Sequence, residues 1–159
     1  RTLLKVNQTL LFENDAIFVT NEQDDEMDLI DDLIHEISHA VEKRVGDIIY
    51  GDGLFQREFI AKRKRLSALL SQKYDVPSDF NINFEYDRAI DDFLYRDVGY
   101  DVLNQVCVGI FPSAYAVTSI SEYWAMGFEE MFLGDPQKIK SMCPVLYNRL
   151  VVTIKELKQ

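Results

Sequence analysis

A mainly helical α+β domain with a small sheet near its amino end is the fold class this sequence predicts, and three observations predict it. Residues 15 to 20, Asp-Ala-Ile-Phe-Val-Thr, are β-branched and aromatic and lie between polar turn residues, as a strand requires. From Asp25 to about Val45 the apolar positions recur every three or four residues, the period of one helix face. Beyond Gly46 the legible signals are again helical: caps, amphipathic runs and prolines placed at first turns.

Taken in order, the strand at 15–20 is followed by a long helix. Its stripe is Met27, Ile30, Leu33, Ile34, Ile37, Ala40, Val41 and Val45; acidic residues crowd its start, where they complement the helix dipole, and Gly46 punctuates its end. A Gly-Asp-Gly turn at 51–53 leads to an amphipathic helix near 55–74, then a loop around Pro77 and a further helix near 85–95. The apolar stretch from Asp101 to Ile110 runs into Phe111-Pro112, where the proline breaks the helix direction. Ser119-Ile120-Ser121-Glu122 has capping-box spacing ahead of the apolar turns Tyr123, Trp124, Met126, Phe128, Met131 and Phe132. Asp135-Pro136 starts a short helix and Pro144 a last one through Val145, Leu146, Leu150 and Ile154.

Bulk composition sets the outer limits. With 159 residues, 47% of them hydrophobic, the chain closes one core, so residues 1–159 read as a single domain. The start at Arg1 rather than Met is read as a fragment or processed part of a longer protein with additional amino-terminal domains. No apolar run reaches the roughly 20 residues of a membrane span, so a soluble protein is expected, with its compartment left open. The net charge of −10 argues against nucleic acid and suits a basic peptide partner, although most acidic clusters are equally explained as solvated helix faces. The basic run Lys62-Arg63-Lys64-Arg65 falls within an amphipathic pattern and is read as an exposed helix face. Cys107 and Cys143, each in an apolar setting, are expected to be buried free thiols.

One motif carries chemistry. His35-Glu36-Ile37-Ser38-His39 is an HExxH pattern inside the long helix. Residues four apart lie on one helix face, so two imidazoles converge on one zinc ion while the glutamate between them reaches a metal-coordinated water as general base. Chance alone yields this pattern in a chain of this length roughly half a per cent of the time, and His35 and His39 are the only histidines present. A catalytic zinc needs a third protein ligand and an open position. With no third histidine, that ligand is a carboxylate or a thiol. Glu122 is the leading candidate, although a capping role alone also explains it, and Glu129, seven residues on, is the runner-up. Asp31 and Asp32, one turn before His35, are placed where a carboxylate orients an imidazole, and equally where helix starts favour acids.

At these residues the chain resembles the anthrax lethal factor-like zincins, a family of HExxH metallopeptidase catalytic domains. The resemblance runs over the strand before the active helix, the segment His35 to Val41, the stretch from Tyr115 to Phe128 and the closing helices to about Leu157. The segment between His39 and Glu122 is longer than in that family. The resemblance implies a zincin fold with the small sheet packed on the HExxH helix, one zinc held by His35, His39 and Glu122 of Glu122-Tyr123-Trp124-Ala125, and catalytic assistance from Tyr115, a position a packed aromatic also explains. It implies a zinc-dependent endopeptidase acting on a protein or peptide, with Glu36 as the base, and secretion or delivery as part of a toxin or virion among the settings. The alternative from another class is a non-catalytic structural or interaction domain that keeps a zincin fold within a larger toxin or virion protein.

Overall fold

The computed structural model describes residues 10–13, 16–19 and 26–159. Its longest helix, α1 (Glu26–Arg44), opens with Glu26 and Asp28 and closes with Lys43 and Arg44, charges that match the helix dipole at each end. The residues α1 buries are polar: His35, Glu36, Ser38 and His39. Its apolar stripe is only half-covered at Ile34, Ile37 and Val41, and Met27 is exposed. Two four-residue strands, β1 (Leu10–Glu13) and β2 (Ala16–Val19), pair antiparallel with Leu10 opposite Val19, and α1 runs beside β1. β2 lies inside the strand read at 15–20; the rest of that segment falls outside the described residues.

The remainder is helical, as the class predicts. After α2 (Gly46–Tyr50), the expected Gly-Asp-Gly turn ends on Gly53, whose φ of +76° suits a residue without a side chain, and α3 (Leu54–Leu70) begins. A 3₁₀ turn at Ser78–Asn81 follows the Pro77 loop. The helix expected from 85 starts later, as α4 (Arg88–Asp92), because the Asp87 carboxylate caps it by accepting from the amides of Ala89 and Ile90 at 2.8 and 3.1 Å; it then widens into a π turn over Phe93–Val98. α5 (Tyr100–Val106) precedes the break at Phe111-Pro112. A 3₁₀ turn at Tyr115–Val117 leads into α6 (Ile120–Leu133), and α7 (Pro136–Met142) and α8 (Pro144–Leu157) start on their prolines.

The core centres on the aromatic face of α6. Tyr123 stacks on Phe55 with ring centroids 5.5 Å apart and meets Phe59 and Phe111 at 5.5 and 5.8 Å. Its hydroxyl donates to Glu58, whose carboxylate also accepts the amides of Val145 and Leu146 at 2.8 and 3.0 Å. Glu58 thus ties α3, α6 and the positive start of α8 together. Gly127 lets α8 approach closely: a Cβ there would stand 2.6 Å from Leu146 Cδ2. Cys107 and Cys143 are buried and unpaired. Among the described residues, no helix is long and apolar enough to cross a membrane.

The reading of Lys62 to Arg65 as an exposed face is half wrong. Lys64 and Arg65 are exposed, whereas Lys62 is buried with its ammonium donating to Met142 O at 2.8 Å, and Arg63 is completely buried. The Arg63 guanidinium donates to the carbonyls of Val117 (3.0 and 2.7 Å), Thr118 (2.9 Å), Phe80 (3.2 Å) and Asn83 (2.6 Å). Its Cζ also lies 4.8 and 4.7 Å from the ring centres of Phe59 and Phe80. Burial pulls its pKa down to about 10, against the opposing field of Asp87, so it is still a cation at neutral pH. A fork of donors matched to backbone acceptors offsets the desolvation that sequence reasoning assumed would keep it outside.

Candidate metal centre

The site is built where the polar face of α1 meets the first turn of α6. His35 and His39 project from successive turns of α1, with their Nε2 atoms 3.3 Å apart and rings crossing edge to face. Ser119 caps α6 by accepting the Glu122 amide at 3.2 Å, which leaves the Glu122 side chain pointing at α1. Its carboxylate lies 3.1 Å from His35 Nε2 and 3.7 Å from His39 Nε2. Trp124, two residues on, donates from Nε1 to Ser38 O at 2.9 Å and ties α6 to α1.

These three groups form the described cluster that could hold a metal ion. Each is 7% exposed or less, and their ligand atoms all lie within 4.8 Å of one another. The donor set fits a zinc-like cation: two nitrogens about 2.0–2.1 Å from one tetrahedral ion stand about 3.3–3.4 Å apart. The Nε2 separation of 3.3 Å meets that requirement, and the two carboxylate distances bracket it.

The outer nitrogens are equally well placed. His35 Nδ1 faces Glu129 Oε1 at 3.5 Å, and His39 Nδ1 faces Glu42 Oε2 at 3.2 Å and Ser121 Oγ at 3.1 Å. A Nδ1–H donating outward leaves the Nε2 lone pair turned inward, the tautomer a metal needs. Ser121 donates to Glu42 Oε2 at 2.7 Å, and the Tyr50 hydroxyl donates to Glu42 Oε1. Burial raises the Glu42 pKa, but the hydrogen bonds from His39, Tyr50 and Ser121 outweigh it and hold the carboxyl below its ordinary range. At His35 burial opposes the charge, while contacts with Glu122 and Glu129 overcome it and push the imidazole up to about 9. The two carboxylates therefore favour positive charge at His35.

The structure brings His35, His39 and Glu122 together as the sequence suggested. It places Glu129, the runner-up ligand, outside the cluster against the far nitrogen of His35. Glu129 and Glu42 occupy the orienting positions for which the sequence offered Asp31 and Asp32; Asp31 is exposed at the rim of a cavity of about 300 Å³ that Glu129 also lines. Glu36 is buried between the histidines at 2% exposure. Tyr115 is half-buried, its ring centre 6.3 Å from that of His35, on the 3₁₀ turn whose carbonyls Arg63 gathers. Glu42, Ser121 and Tyr50 were missed. Glu42 had a signal, standing three residues after His39 on the same helix face. Tyr50 had none.

Comparison with protein-family models, with curated proteins and with solved structures finds no match to this chain, so the arrangement of its own residues carries the functional reading.

Proposed function

We propose that this chain is a zinc-dependent endopeptidase with a zincin-type fold, in which the small sheet lies beside the helix that bears the motif. The observation that carries the reading is the convergence of two imidazoles, one helical turn apart, with a buried carboxylate from a distant helix. His35, His39 and Glu122 are three protein ligands of the type and number that leave a fourth position open. A zinc ion held there supplies Lewis acidity and lowers the pKa of a coordinated water to about 7.

The chain's own residues do the rest. Glu36 takes the proton of the attacking water and hands it to the leaving amine, a role that suits a buried carboxylate within the motif. The Tyr115 hydroxyl donates to the substrate carbonyl oxygen as negative charge builds on it. Glu129 and Glu42 fix the imidazole tautomers and raise their basicity.

Glu36→Gln tests the reading. The variant is expected to retain zinc and fold, and to lose peptide hydrolysis by at least about a hundredfold; undiminished cleavage of a peptide library by that variant removes Glu36 as the base.

A further inference from the structure

Beside the metal centre, on the His39 side, lies a cavity of about 450 Å³ lined by Glu42, Tyr50, Gln56, Phe84, Glu85, Tyr86 and the start of α6 with its cap, Ser119 to Ser121. It adjoins the centre: Glu42 and Ser121 line the cavity and also touch His39 Nδ1. Its wall is anchored: the Ile120 amide donates to Phe84 O at 2.7 Å and joins the 84–86 segment to the start of α6.

The lining has a definite chemical bias. Three rings contribute to it, Tyr50, Phe84 and Tyr86, the last half-exposed. Its two carboxylates differ. Glu42 is already engaged by His39, Tyr50 and Ser121, whereas among the described residues no lysine or arginine pairs with Glu85. Gln56 donates from its amide nitrogen to Tyr50 O at 3.1 Å, which holds its side chain in the wall. An unneutralised carboxylate and aromatic faces ask for the same guest: a cation on an apolar stem.

We propose that this cavity is the subsite for a lysine or arginine side chain of the peptide that the metal centre cleaves, with Glu85 meeting the charge and Phe84 and Tyr86 covering the stem. The proposal rests on the peptidase reading for its substrate, but its binding step can be measured apart from cleavage.

The probe is N-acetyl-arginine amide, compared with the neutral isostere N-acetyl-citrulline amide, titrated into the zinc-loaded chain and followed by amide resonances of residues 84–86 and 119–121. The arginine compound is expected to bind roughly tenfold more tightly, an advantage that Glu85→Gln removes, as for loss of one charge-assisted contact. Glu85 is exposed, so the substitution leaves the core intact, and a thermal melt checks this. In parallel, cleavage sites in an unbiased peptide library are expected to carry a basic residue at one fixed position, and to lose that bias in the Glu85→Gln variant. Arginine and citrulline compounds binding alike, or an advantage unchanged by Glu85→Gln, overturns the subsite. Cleavage with no basic preference and no Glu85-dependent binding sinks the subsite and leaves the peptidase standing. Glu85-dependent binding with no peptide cut under any condition sinks the peptidase and leaves a cation site.

Discussion

The His35–His39–Glu122 centre and the Arg63 cradle are both polar and buried, and they are balanced in opposite ways. In the cradle a cation sits at the middle and its donors are met by the carbonyls of Phe80, Asn83, Val117 and Thr118. In the centre the middle is made of lone pairs once His35 gives up its proton. Two Nε2 atoms and a carboxylate face one another, and further carboxylates, Glu129 and Glu42, stand behind the rings. A satisfied cluster fixes backbone; a cluster of converging acceptors is built for a guest of opposite charge. The two are also mechanically joined, because the turn that carries Tyr115 is held at Val117 and Thr118 by Arg63.

The largest expected effect lies in the cradle. Arg63→Met removes the donors but leaves the carbonyls buried, and is expected to cost about 3–5 kcal/mol in denaturant unfolding, with or without zinc. A loss under about 1 kcal/mol breaks the claim that the cradle is structural. In the centre, Glu42→Gln is expected to weaken zinc binding about 10–100-fold in a competition titration while changing stability of the metal-free protein far less. The reverse pattern erases the distinction between the clusters. Ser121→Ala, which removes only a hydroxyl shared by His39 and Glu42, should weaken zinc by a few-fold at most, on the order of one neutral hydrogen bond.

The pH dependence sharpens the contrast by its sign. His35 is raised from 6.5 to about 9, so in the metal-free protein its contacts with Glu122 and Glu129 stabilise fully below pH 6.5 and lose that effect as pH rises through 9. Unfolding of the metal-free protein at pH 6 and pH 9.5 is expected to show this decline, reduced in a Glu129→Gln variant. Metal-free stability that rises across the window contradicts the assignment.

Sequence reasoning read these clusters unequally, for physical reasons. The centre was legible because its chemistry is local: His35 and His39 share one helix face by spacing, and Glu122 follows a serine cap with a cap's own geometry. The helical character was legible too, with α1, α3, α6, α7 and α8 starting or ending at recognisable signals. The cradle was not, since its acceptors come from residues 80, 83, 117 and 118, backbone groups that no side-chain pattern marks. A signal did exist in α3, where Lys62 and Arg63 fall three and four residues from both Phe59 and Leu66, on the buried face; residue type was allowed to overrule position. In α1 the periodicity marked the helix but not its most buried face: the apolar stripe is only half-covered, and the buried residues are the polar ones that make the site.

Zinc-edge X-ray absorption of the metal-loaded chain, paired with metal analysis, tests the central claim most directly. The account predicts one zinc per chain, bound by two imidazoles and oxygen donors at about 2.0–2.2 Å, and lost in Glu122→Ala. A sulfur scatterer at about 2.3 Å, or a zinc content unchanged when His35 and His39 are both replaced by Ala, contradicts it.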